Sequence, residues 1–134
     1  LTGPPATVLL TLKESEALLW GFAMMGDYAH EPPDDETDPV YLLLKAGYRP
    51  EQFEAACKRL RPMALDDYLR EPFSDLEKMI LRLAVENTSW ITTYRTHAPT
   101  RDSPMLIREA LTALRTLAAK LEDFGIEVNY IPND

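Results

Sequence analysis

The chain has 134 residues, 46% hydrophobic and 27% charged, with one cysteine and a net charge of −8. These values fit one globular domain that buries about two-thirds of its unfolded surface without covalent staples. They exclude an internal disulfide framework, and no stretch approaches the roughly 20 apolar residues of a membrane span.

The acidity is local. Asp27, Glu31, Asp34, Asp35, Glu36 and Asp38 put six negative charges into twelve residues with no Lys or Arg among them, and the remaining 16 acids nearly balance 14 bases. The chain as a whole repels a phosphate backbone, although a local basic patch stays compatible with it. A lone Cys57 suits a reducing compartment, so the expected location is the cytoplasm. The first residue, Leu1, is compatible with a removed targeting segment.

Taken in order, Ala6–Leu10 is rich in β-branched and aliphatic residues and reads as a short strand. Thr11-Leu12-Lys13-Glu14 fits a capping box and starts the first helix. From Ala17 to Met25 this helix is apolar all round, so it must be covered on every side. It is expected at the centre of the fold, enclosed by other helices or by a second copy of the chain. Ala17 and Gly21, four apart, leave a shallow groove where Gly21 avoids a clash in the core. Gly26 reads as the helix stop, and Pro32-Pro33 forbids continuation.

Residues 27–38 form an acidic loop. Asp38-Pro39 opens the second helix, which runs Val40–Ala46 and ends at Gly47. Pro50 begins the third, Glu51–Leu60, whose apolar positions Phe53, Ala56, Cys57 and Leu60 share one face. Cys57 is thereby expected to be an inert buried thiol. Pro62 reads as the end of that helix and Met63–Arg70 as one or two further helical turns. Ser74-Asp75-Leu76-Glu77 is a second capping box. It starts a fourth helix with the stripe Leu76, Met79, Ile80, Leu83, Ala84, Trp90, Ile91 and Tyr94. Asn87 falls on that stripe and needs partners for its donor and acceptor atoms.

Residues 95–102 form a polar loop. Ser103-Pro104 opens the fifth helix, with Ile107, Ala110, Leu111, Leu114, Leu117, Ala118 and Leu121 on its apolar side. Gly125 closes it. Ile126–Ile131 alternates with period two and reads as a strand, which needs a partner. Ala6–Leu10 is the other strand, so the two chain ends are expected to meet. The resulting fold class is mainly α: a single domain of about five helices packed around an all-apolar first helix. A small two-stranded sheet is formed by its N- and C-terminal segments.

Chemical motifs are sparse. Asp34, Glu36 and Asp38 alternate as in a calcium loop. Counted from Asp34, however, Pro39 stands where the loop needs Gly and Lys45 where it needs Glu. His30-Glu31-Pro32-Pro33-Asp34 cannot form the helix that a zinc-protease motif requires. No metal and no cofactor is expected. His30 and His97 each lie in a loop after a long helix and could face one pocket with Asn87, but the chain has no nucleophile elbow, phosphate-binding glycine loop or C-x-x-C.

The hairpin at 40–60 has the cadence of a helix-turn-helix, with Arg49, Lys58, Arg59 and Arg61 as nucleic-acid contacts. Glu51 and Glu54, however, stand where base edges would be met. Trp20, Met24 and Met25 are residue types favoured at interfaces. The functional expectation is a non-enzymatic interaction or regulatory module, a homodimer presenting Asp34, Asp35, Glu36 and Asp38 to a basic partner or to solvent. The alternatives are a DNA-binding regulator and, behind it, an enzyme with a pocket near His30 and His97.

Overall fold

A computed structural model describes residues 6–30, 39–86 and 107–128. Among them are strands β1 (Thr7–Leu9) and β2 (Tyr68–Arg70) and helices α1 (Leu12–His30), α2 (Pro39–Lys45), α3 (Pro50–Leu65), α4 (Asp75–Glu86) and α5 (Ile107–Leu121). A 3-10 turn, Glu122–Phe124, follows α5 and closes at Gly125, whose φ of 73° is left-handed. The fold is mainly helical with a small two-stranded antiparallel sheet, as the sequence pattern implies.

α1 is the centre. It packs against α2, α3, α4 and α5. Ala17, Leu18 and Phe22 are fully buried, and Leu19 and Trp20 are 5% and 6% exposed. An apolar run without a polar side has only this solution in water. The closest approach is at Gly21. A Cβ built there would lie 2.7 Å from the Ala84 Cβ of α4 and 3.1 Å from its Cα, so only glycine lets the two helices meet at this distance.

Helix starts follow the local chemistry. In α1 the Thr11 amide donates to Glu14 Oε1 at 2.7 Å, and the Glu14 amide to Thr11 Oγ1 at 3.2 Å. In α4 the Ser74 amide donates to Glu77 Oε1 at 2.7 Å, and the Glu77 amide to Ser74 Oγ at 3.1 Å. Each pair satisfies two amides that a helix start leaves orphaned. α2 stops at a left-handed Gly47, φ 103°.

Four expectations need correction. α1 does not stop at Gly26 but runs to His30. A mid-helix glycine costs only about 1 kcal/mol, which neighbouring turns outweigh. α3 does not end before Pro62 but includes it and reaches Leu65. Pro62 is exposed, so the missing amide bond falls on the outer side, while Ala64 in the same turn is fully buried and holds the helix to the core. Met63–Arg70 is not helical throughout, because Tyr68–Arg70 is β2. Residues 126–128, described without strand structure, do not pair with β1; its partner is β2, in the register Thr7 to Arg70, Val8 to Leu69 and Leu9 to Tyr68. Leu69, fully buried, supplies the inward side chain that makes this three-residue strand worth forming.

One buried hydroxyl among the described residues lacks a partner. The Ser15 hydroxyl is fully buried and has no hydrogen-bond partner among the described residues. Such a group costs about 1–3 kcal/mol. Ser15→Ala is therefore expected to raise the urea midpoint by the equivalent of about 1 kcal/mol. A lowered midpoint would show that the hydroxyl is bonded.

Candidate interaction surface

The structure scatters the residues singled out from sequence. Asp34, Asp35, Glu36, Asp38, Asn87 and His97 lie outside the described residues, and for Met24, Met25 and His30 the helix backbone is described but not the side chain. Trp20 is buried within its own chain at 6% exposure, so it offers no surface to a second copy, contrary to its assignment to an interface. Enclosure by α2–α5 already covers it.

All four basic residues, Arg49, Lys58, Arg59 and Arg61, are exposed. Arg59 is engaged. Its Nη1 donates to Glu77 Oε2 at 2.7 Å, and its Nη2 to the Pro72 carbonyl at 2.9 Å. A guanidinium fixed to a nearly buried carboxylate is a tie between α3 and α4, not a free phosphate contact. Cys57 is buried, and burial pushes its thiol up to about 11, with Arg61 pulling weakly the other way. It carries almost no thiolate at neutral pH. Among the described residues no group of three or more His, Cys, Asp or Glu could hold a metal. No helix among them is long and apolar enough to cross a membrane.

A different region stands out, where β1, the first turn of α1 and α5 meet. Two large aliphatic side chains are exposed there, Leu9 at 75% and Leu12 at 67%. Strand alternation explains Leu9: Val8 and Leu10 turn inward, so Thr7 and Leu9 share the outer face of the sheet with Arg70 and Tyr68. Between the first turn of α1 and α5 runs a groove of about 500 Å³, lined by Thr11, Lys13, Glu109, Thr112, Ala113 and Thr116. Lys13 pairs with Glu109 at 3.1 Å across this region.

Beneath the groove sits a charge cluster. Glu14 is fully buried. It accepts hydrogen bonds from the Lys120 ammonium and, at 2.6 Å, from the Thr116 hydroxyl, in addition to the Thr11 amide. Lys120 Nζ also donates to the Leu9 carbonyl at 3.0 Å. Burial pushes the Glu14 carboxyl up, but Lys120, the Thr11 amide and Thr116 together pull it below its ordinary value. Glu77 behaves alike: burial raises it, and Ser74 and Arg59 bring it below the ordinary value. Both capping-box carboxylates are thus held by a cation from another helix.

Sequence reading did not place Leu9 and Leu12 on a surface. The strand pattern requires one of Leu9 and Leu10 to face outward, but which one depends on the register with β2. No family model matches this chain, and neither curated proteins nor solved structures provide a significant match.

Proposed function

We propose that this chain is a non-enzymatic interaction module that self-associates through the outer face of its small sheet and the adjoining turn of α1. The observation that carries this reading is the exposure of two large aliphatic side chains three residues apart, Leu9 at 75% and Leu12 at 67%. Covering two leucines is favourable by about 1.5–3 kcal/mol each. The face also suits a second copy electrostatically. Two molecules of charge −8 repel, yet Lys13, Arg70 and Lys120 place cations on or beside this face, with Glu109 paired to Lys13 and Glu14 to Lys120. The reducing chemistry that a lone buried Cys57 tolerates suits a cytoplasmic module.

The test is solution mass by light scattering over a wide dilution range, with Leu9→Glu/Leu12→Glu alongside wild type. Both leucines are exposed, so the double variant is expected to keep its circular dichroism spectrum and thermal midpoint. Wild type is expected to show a dimer that the variant reduces to monomer. A wild type that stays monomeric at the highest concentration overturns self-association through this face.

A further inference from the structure

The outer edge of β1 is a second feature of the same strand, and its chemistry differs from that of its face. The Glu71 amide donates to the Ala6 carbonyl at 3.1 Å, and the Leu10 amide to the Asp67 carbonyl at 2.8 Å. In an antiparallel ladder bonded positions alternate, so Ala6, Val8 and Leu10 face β2 while the N–H and C=O of Thr7 and Leu9 face away from it. Edges of this kind recruit further strands. Two β1 strands related by a two-fold axis through Val8 would set Thr7 of one opposite Leu9 of the other. Each such pair would exchange both backbone bonds. That pairing needs the Leu9 carbonyl as acceptor for the Thr7 amide of the second copy.

We infer that Lys120 closes this edge, and that removing its ammonium opens β1 to strand pairing with a second copy of the chain. Lys120 Nζ lies 3.0 Å from the Leu9 oxygen, within the space a neighbouring strand about 4.8 Å away would occupy. It cannot readily swing aside, because the buried Glu14 carboxylate holds it. The edge has no other guard among Thr7, Val8 and Leu9, which include neither a charge nor a proline. This inference concerns the edge and not the face, so it stands whether or not Leu9 and Leu12 dock a partner.

The experiment compares three proteins by light scattering across a dilution series: wild type, Glu14→Gln/Lys120→Met, and that pair with Thr7→Pro. The pair is changed together so that no buried charge is left alone. The Thr7 amide faces away from β2, so proline removes the outward donor without breaking the existing sheet, and both leucines remain. The expected result is a mass that doubles relative to wild type as concentration rises in the second protein and returns to the wild-type value in the third. If Glu14→Gln/Lys120→Met does not fold, Glu14→Leu/Lys120→Leu takes its place and is read in the same way. A folded variant whose mass follows wild type at every concentration overturns the inference. So does association that Thr7→Pro leaves intact.

Discussion

Lys120→Met is expected to lower folding stability at neutral pH by about 3 kcal/mol, the usual cost of leaving one half of a buried ion pair without its partner. The reason is Glu14, which is fully buried and whose strongest attractive partner is Lys120. In wild type the folded carboxyl lies below its ordinary value of 4.5. Its contribution is therefore fully present above pH 4.5 and lost as pH falls through the folded value. Without Lys120 the folded value rises, so this contribution shrinks and the variant falls further below wild type as the carboxyl ionises. Urea unfolding from pH 4 to pH 8 should show Lys120→Met diverging further below wild type with rising pH. Glu14→Gln/Lys120→Met, with no charge to bury, should recover most of the loss at pH 7 and lack this divergence. Equal losses in the single and double variants, independent of pH, would mean that Glu14 reaches water and that the pair is not a buried one.

Gly21→Ala is expected to lower stability by roughly 2 kcal/mol, although alanine is the better helix former. A new methyl would sit 2.7 Å from the Ala84 Cβ and 3.1 Å from its Cα, so α4 must move. Overpacking of this kind costs about 1–3 kcal/mol, more than the gain of about 1 kcal/mol in helix propensity can offset when backbone must shift. Adding Ala84→Gly removes the nearest atom but not the Cα, so it should restore part of the loss despite placing glycine in α4. The checking measurement is a double-mutant cycle by chemical denaturation, in which the pair costs less than the two single changes summed. A Gly21→Ala protein as stable as wild type would show that α1 and α4 part easily, and that the small residues there do not set their spacing.

The parts of this fold that were legible in the sequence are the local ones. Thr11 and Glu14, or Ser74 and Glu77, are three residues apart and meet in any helix start, so their hydrogen bonds follow from spacing alone. The enclosure of α1 follows from its composition, because no rotation of that helix gives it a polar side. The cations that hold the two capping carboxylates were not legible: Lys120 is 106 residues from Glu14 and Arg59 is 18 from Glu77, and nothing in the pattern joins them. β2 escaped because one buried residue, Leu69, defines it, and three residues carry no readable period. The C-terminal alternation misled for the opposite reason. Ile126 is buried and Val128 packs against the core, so the period is genuine, but it records apolar contacts with the core and not strand pairing. The surface at Leu9 and Leu12 stayed hidden because an aliphatic residue beside a strand and a helix start reads as core until its register is known.

The bond between Glu14 and Lys120 also sets an order of events during synthesis. Glu14 leaves the ribosome 106 residues ahead of its partner, a delay of roughly 5–20 s at 5–20 residues per second. Throughout that interval α5 does not yet exist to cover α1, and the carboxylate at its first turn has no ammonium to meet. α1, although α2, α3 and α4 can cover it earlier, thus reaches its final state only after α5 has been made. Nascent chains that end before residue 107 leave the α5 side of α1 uncovered, the kind of transiently exposed apolar surface that chaperones shield.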